Sequence, residues 1–464
     1  MKRKNRMAII SSYFEGESYG LLGPQMAATI IEEHASYDCI VIAVTRTDDK
    51  SLIKKSLSEY FGTEMPVIGF SSLSGREDLF SFAKELKDEG AITILAGPQA
   101  YPDYIGEVGW KEHPHRFKGL SDCFTFSLKG PAEQALPLLK DIKNQQAWRT
   151  FSGVAMIGQD GQIINNIEKG WDEAFLKSVN WNNLYRIGKE GLTHIEVSTG
   201  QVLQQVGCPH ASVGRWIELD DPEPIKDYKK EKIRIISKGC SFCDVAIDKG
   251  FYGELGMETV LGQISCLPSR EDGRKIPFEL INENPLFTLP SLLKEAKERR
   301  IRLSQINLIL RADYFLKGEA GLRESLQIAQ EIGIRLLVSS MGFEAFDDAL
   351  LRNFNKGIDV ETNLNAIRLM RDLKEEFPRE WGYSTIEGAI HGFIHPTPWD
   401  TEDSFFNTRR NIAMYGLERD ILPPHSTPLI IHHACALGDW IREVEVREGI
   451  QYKRHGSIIG WWAT

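Results

Sequence analysis

Cys240 and Cys243 stand with two residues between them within residues 233–250, IRIISKGCSFCDVAIDKG. Closely spaced thiols do one of three things: cycle as a thioredoxin-like redox pair, supply half of a zinc site, or ligate iron–sulfur. A redox pair belongs at the start of a chain-initial βαβ unit, and this pair lies mid-chain. A zinc site needs two more Cys or His at matching spacing, and none lies close by. An iron–sulfur site needs at least one further thiol, from Cys39, Cys123, Cys208, Cys266 or Cys435. By spacing alone, two incidental cysteines in a buried turn compete with all three. The alternating Ile-Arg-Ile-Ile before the pair suits a strand, and Lys238-Gly239 suits a turn. The sulfur atoms then fall at the mouth of a sheet, where α/β proteins bind ligands.

The elements that must position this loop recur along the whole chain. Its 464 residues are long enough for two or three domains. In the first third, apolar runs at 7–12, 39–44, 66–70, 92–96 and 123–128 alternate with helical patterns at 24–33, 50–60, 76–87 and 131–144. This rhythm predicts a Rossmann-like, doubly wound parallel sheet with right-handed crossovers. Such a sheet takes its ligand at the carboxyl ends of its strands. The loops there are Ser71-Ser72-Leu73-Ser74-Gly75, Gly97-Pro98-Gln99-Ala100 and Lys129-Gly130-Pro131. No G-x-G-x-x-G opens the first helix, which disfavours a dinucleotide. Residues 153–157 and 162–165 flank Asp160-Gly161 and predict a hairpin within a polar linker. From residue 193 the rhythm returns, with strand-like runs at 195–198, 233–236, 278–281, 306–310, 336–339, 386–393 and 429–431. A second parallel sheet of about six strand–helix units, curled into a partial TIM-like barrel, is the expectation. The predicted domains are thus 1–147, a linker 148–192, and 193–464.

Composition narrows the function classes. A net charge of −10 argues against a nucleic-acid backbone binder. No apolar stretch is long enough to span a bilayer, and no secretory apolar core follows the basic residues 1–6. Seven scattered cysteines do not read as a secreted disulfide framework, so a reducing cytoplasm is expected.

The order of the motifs resembles the radical SAM enzymes that carry an N-terminal cobalamin (B12)-binding domain. Residues 338–363, VSSMGFEAFDDALLRNFNKGIDVETN, hold Gly342-Phe343-Glu344 at a strand end and Asn355-Lys356-Gly357 in the following turn. FELINEN (278–284) and INLILRADY (306–314) resemble the family's second and third barrel strands. The stretch 388–394, with Thr401-Glu402-Asp403 after it, resembles the fifth strand and its helix cap. ITILAGPQA and SLKGPAEQALPLL resemble the last two strands of the cobalamin domain. Together these cover nearly the whole chain. One departure stands out: the family binds its cluster through three cysteines in one short loop, and this loop has two. The resemblance implies that a third comes from elsewhere. Cys208, in Gly207-Cys208-Pro209-His210, reads like the start of such a loop and is favoured, with Cys266 the runner-up and loss of the cluster a further possibility.

The resemblance implies three cofactors: a [4Fe-4S] cluster on Cys208, Cys240 and Cys243, S-adenosylmethionine (SAM) and cobalamin. Phe242 would lie along the adenine. Asn282, Glu283 and Asn284 would hold the methionyl ammonium and Arg311 the carboxylate, with Ser339, Ser340 and Glu344 near the ribose. Cobalamin would lie against Ser71, Ser72, Leu73, Ser74, Gly97, Pro98, Gln99, Lys129 and Gly130. There is no Asp-x-His-x-x-Gly, so no histidine from that motif is expected on cobalt, and His34, His113 and His115 read as surface residues. His391, His395, His425, His432, His433 and Cys435 gather late in the chain. His395, His433 and Cys435 are the catalytic candidates, although hydrogen-bonded core histidines are the commoner outcome. His432 and His433, adjacent on a strand, are expected on opposite faces. The implied activity is reductive SAM cleavage to a 5′-deoxyadenosyl radical. Methyl transfer to an unactivated carbon or phosphorus is the leading reaction, with cyclisation or rearrangement as alternatives, and a catalytically silent corrinoid- or cluster-binding protein as the rival. The expected partners are a small-molecule or unknown substrate and an electron donor such as flavodoxin or ferredoxin, with neither nucleic acid nor membrane.

Overall fold

The computed structural model describes residues 4–71, 75–158, 161–222, 232–244, 251–423 and 425–462. The predicted cobalamin contacts Ser72, Leu73 and Ser74 lie outside the described residues. Two compact units are present. One comprises Met1–Gly200 with Gly262–Pro268 and Arg454–Ile458; the other comprises Gln201–Leu261, Ser269–Lys453 and Ile459–Thr464.

The first unit is built on the strands β1 (Asn5–Ser12), β2 (Tyr37–Val44), β3 (Val67–Ser71), β4 (Ile92–Ala96), β5 (Phe126–Leu128), β6 (Val154–Ile157), β7 (Ile163–Asn165), β8 (Leu184–Gly188) and β9 (Gly191–His194). They form one sheet in the order β7-β6-β5-β4-β3-β1-β2-β8-β9. The core from β5 through β8 is parallel. Its apolar runs are buried nearly end to end because helices such as Leu22–His34 and Glu77–Asp88 contribute apolar faces. Strand order reverses between β1 and β3, which makes their carboxyl ends the topological switch point. The predicted linker does more than connect. Its hairpin β6–β7 pairs antiparallel onto one side of the sheet and β8–β9 extends the other, so the parallel strands have no open edge.

The second unit carries β10 (Gly200–Leu203), β11 (Gln205–Gly207), β12 (Arg215–Asp220), β13 (Lys232–Ser237), β14 (Phe251–Glu254), β15 (Phe278–Ile281), β16 (Gln305–Leu310), β17 (Arg335–Glu344), β18 (Trp381–Gly382) and β19 (Gly392–Phe393). The order β10-β15-β16-β17-β18, with β19 also on β17, gives the strand–helix sheet expected of a partial barrel. Four expectations are corrected. The run 429–431 becomes a strand at Ile430–His432, which lies in a two-stranded sheet of its own and not in the barrel sheet. β13 is not a strand of that sheet. It pairs antiparallel with β12, Arg215 opposite Ser237, and alternation alone does not say which partner a strand takes. Residues 195–198 form no strand; β10 begins the sheet instead. Of residues 386–393 only Gly392 and Phe393 pair, because Ser384 caps a 3-10 turn at Thr385–Glu387 and Gly388 turns the chain at φ +95°. Among the described residues no helix is long and apolar enough to cross a membrane.

Candidate functional site

The site begins where β10 and β11 end. Cys208 follows Gly207 directly, the β12–β13 hairpin leaves and returns, and Cys240 comes three residues after its base. An antiparallel hairpin brings the chain entering it beside the chain leaving it. The hairpin therefore acts as an insertion that splits one cysteine loop without separating its halves. Its buried face, Leu219, Ile233 and Ile235, packs with Trp399, Trp440 and Leu351, each such side chain contributing about 1.5–3 kcal/mol. The returning chain is pinned in place. Ser241 donates its hydroxyl to the Asn353 carbonyl at 2.7 Å, and its amide donates to the Phe354 carbonyl at 2.9 Å. Asn355 donates its side-chain amide to the Gly239 carbonyl at 2.6 Å. The Cys243 amide donates to the Cys240 carbonyl at 3.2 Å, closing both thiols into one turn.

The Cys208 loop packs against that same turn. A Cβ on Gly239, which sits at φ +72°, would lie 3.1 Å from the Ala211 side chain. His210 hydrogen-bonds the Asn355 carbonyl through Nε2 at 3.0 Å, and burial followed by the Arg311 charge holds its pKa below the ordinary value. Arg311, at the end of β16, lies in the field of both Cys240 and Cys208, and its Nη1 is 3.5 Å from the Cys240 sulfur. Burial pushes the Cys208 thiol up, Glu283 adds to this, and Arg311 opposes it. Cys266, the runner-up, is exposed at the end of the helix Met257–Cys266 and groups with the first unit.

A polar wall faces these thiols. Asn282 donates to Gln204 Oε1 at 2.9 Å and accepts from the Asn284 amide at 2.7 Å; the Glu283 amide donates to Gln205 Oε1 at 3.2 Å. Burial raises the Glu283 pKa, with Lys356 and Arg311 pulling it back. Glu344 sits at φ +62°, a conformation rare outside glycine and costing about 1–3 kcal/mol. Its carboxylate occupies space left by two glycines paired across β17 and β19. A Cβ on Gly342 or Gly392 would lie 2.7 Å from it. Lys356 meets Glu344 at 3.3 Å and is buried. Burial lowers the lysine pKa, but Glu344 and Cys240 more than offset this, so it stays charged. Phe242 packs edge-on to Phe354. Ser339 donates to the Leu308 carbonyl at 3.3 Å, beside a register shift that places Ser340 opposite Ile309.

Cys208, Cys240, Cys243, Asn282, Glu283, Arg311 and Glu344 thus belong to one neighbourhood. Sequence reasoning did not include Lys356, Asp313, Gln204 and Gln205 in it. The Asn355-Lys356-Gly357 turn stands out in sequence, but nothing local reveals that its lysine reaches back to Glu344. Arg311 is engaged more heavily than expected, by Asp313 at 3.1 Å and by the Lys356 carbonyl. The donor set fits the implied groups: sulfur ligands lie under cationic residues, and the Oδ1 of Asn284 is buried without a hydrogen-bond partner among the described residues.

The late histidines separate. His391 is a core residue: its Nδ1 accepts from the Met341 amide at 3.0 Å and its Nε2 donates to the Tyr383 carbonyl at 2.6 Å. His432 and His433 do not point to opposite faces. The strand ends at His432, so alternation no longer governs His433, and the two rings stack at 4.6 Å. Cys435 is buried in the apolar cluster around Trp440, and burial pushes its thiol up to about 12. His395 is half-exposed beside Asp400, and His425 is exposed. His34 is exposed too, whereas His113 and His115 are partly buried.

In the first unit, the expected ligand loops meet at the switch point. Ser11 donates to the Ser71 carbonyl at 3.2 Å, and a Cβ on Gly97 (φ +109°) would lie 3.4 Å from the Ser71 hydroxyl. Gly130 also turns at positive φ, and Lys129 lies over the Tyr101 ring at 4.8 Å. Pro98 and Gln99 follow Gly97 in the β4 loop.

No protein-family model matches the chain, and no curated protein matches it by sequence. Solved structures do match. A cobalamin-dependent S-adenosylmethionine radical enzyme, OxsB, with aqua-cobalamin and S-adenosylmethionine bound, superposes with a TM-score of 0.59. The same enzyme with aqua-cobalamin bound gives 0.58. In both, identity is 12% over 97% of this chain, and this chain spans 62% of the length of OxsB. The fold of this chain, a doubly wound sheet followed by a partial barrel, is that of a cobalamin-dependent radical SAM enzyme.

Proposed function

We propose that this chain is a cobalamin-dependent radical SAM enzyme whose [4Fe-4S] cluster is held by a split set, Cys208 with Cys240 and Cys243. The packing of Ala211 on Gly239 carries this reading, because it sets the Cys208 loop against the Cys240 turn. Three protein thiolates leave one iron of such a cluster open. When bound, the cluster would supply the electron that cleaves SAM, and cobalamin a carrier for a methyl group. This chain's own residues do the holding. Asn282, Glu283 and Asn284 offer acceptor oxygens to the SAM ammonium. Arg311 and Lys356 place positive charge over the thiolates and toward the carboxylate. Glu344 and Ser340 would border the ribose, and Phe242 the adenine. In the first unit, Ser71, Gly97, Pro98, Gln99, Lys129 and Gly130 ring the switch point as a cobalamin cradle.

Methyl transfer to an unactivated carbon or phosphorus is the reaction we favour. An electron donor such as flavodoxin or ferredoxin is the expected partner. The test is anaerobic reconstitution with iron, sulfide and cobalamin, then incubation with SAM and dithionite as reductant, followed by a search for 5′-deoxyadenosine and S-adenosylhomocysteine. Both products are expected. Deoxyadenosine alone would favour cyclisation or rearrangement, and neither product would sink the radical reading.

A further inference from the structure

A cavity of about 140 Å³ lies between the β19 segment and the helix Glu402–Tyr415. Its wall is one hydrogen bond from the proposed SAM site, because the Ile394 amide donates to the Glu344 carbonyl at 2.8 Å. Ala345, Leu350, Phe393 and Ile394 make an apolar floor. A cavity of about 150 Å³ takes a benzene-sized molecule, so the space suits a fragment of about six heavy atoms or fewer.

Two cationic groups border that floor. His395 holds its Nδ1 3.0 Å from Asp400 Oδ2. That oxygen also accepts the Thr397 amide at 2.7 Å, which fixes the carboxylate and through it the imidazole. Among the described residues no hydrogen bond reaches His395 Nε2. Arg409 lies over the Phe405 ring at 4.6 Å and has no carboxylate partner among the described residues. Asp400 neutralises a protonated His395, which leaves the pocket one positive charge in excess. The charged groups facing His395 are Asp400 from its own loop and Arg409 from the helix; the floor contributes none.

We propose that this pocket holds a carboxylate borne on a short aliphatic part of the substrate, bound between His395 Nε2 and the Arg409 guanidinium. A guanidinium fork matches a planar carboxylate, and the floor takes the adjoining carbon atoms. His395 binds the carboxylate directly, and Asp400 is the positioning residue. The His395 pKa is raised because the ring donates its Nδ1 hydrogen to Asp400, against desolvation, which favours the protonated, binding form. The inference rests on the proposed function only in taking the pocket to serve that enzyme's substrate; the binding itself needs no cofactor.

The experiment uses the full chain, labelled in its histidine rings, titrated with butyrate and followed by NMR at His395. Butyramide and inorganic phosphate are the controls. Expected is a saturable shift with butyrate, little with butyramide, and weaker binding by at least about tenfold in Arg409→Gln and Asp400→Asn. Affinity should fall as pH rises through the His395 pKa. An equal response to butyramide, tighter binding of phosphate, or unchanged affinity in Arg409→Gln would each overturn the proposal. Arg409 is exposed, so its variant keeps the test open even if Asp400→Asn unfolds. A chain that bound no iron yet bound butyrate in this way would sink the cluster reading and leave the pocket standing.

Discussion

Lys356 and Glu344 form a buried pair whose partners cannot be removed singly without cost. In Lys356→Met the carboxylate would be left buried and unpaired. The expected loss is about 3–5 kcal/mol, read from urea unfolding. Removing both charges in Lys356→Met/Glu344→Leu should recover much of it, and a double variant no better than the single would refute the pairing. His391 makes a pH prediction. Its folded pKa is lowered to about 4 by burial, against about 6.5 in the unfolded chain. The unfolded state therefore binds more protons between those values, and stability is lost as pH falls through that window. Wild type should lose up to about 3 kcal/mol there relative to His391→Gln. Parallel pH profiles would show that His391 is not buried neutral. These residues show where sequence stops being informative. Glu344 and Arg311 stand at strand ends and are legible by position. The partner of Lys356 lies twelve residues back across a helix, and the loss of strand alternation at His433 depends on where pairing ends.

At the scale of elements, the β12–β13 hairpin decides whether the chain has a cluster site. Its alternating residues are readable as a strand, yet the same pattern serves a parallel barrel strand and an antiparallel hairpin. The choice is made by nonlocal packing of Leu219, Ile233 and Ile235. The sequence suggested that an insertion splits the cysteine loop; it did not show that the insertion closes on itself. Gly239 sits at the point of closure. Gly239→Ala would force a side chain into a left-handed backbone and toward Ala211, costing about 1–3 kcal/mol. It should also lower the iron retained after reconstitution. Full iron retention in a folded Gly239→Ala chain would show that the approach of the two loops is not what sets the thiols.

The whole molecule joins two sheets whose rhythm was plain in the sequence: five parallel strands of the first unit fell on expected apolar runs, and β15, β16 and β17 did likewise in the second. The short strand β18 was not, since a two-residue pairing carries no periodicity, and β19 keeps only the last two residues of the expected run 386–393. The order β5-β4-β3-β1-β2 places the switch point where Ser71 and Gly97 meet, and this gives the cobalamin proposal its own test. In Gly97→Val the full chain should retain less aqua-cobalamin after desalting while its iron content is unchanged. Equal cobalamin retention would move the corrinoid elsewhere or remove it.

The split ligand set is the central claim. Its most direct test is the iron content and reduced-state EPR spectrum, with and without SAM, of the anaerobically reconstituted wild type, Cys208→Ala and Cys266→Ala. The account predicts a cluster signal that SAM perturbs in wild type and in Cys266→Ala, and its loss in Cys208→Ala. A cluster that survives in Cys208→Ala and disappears in Cys266→Ala would contradict it.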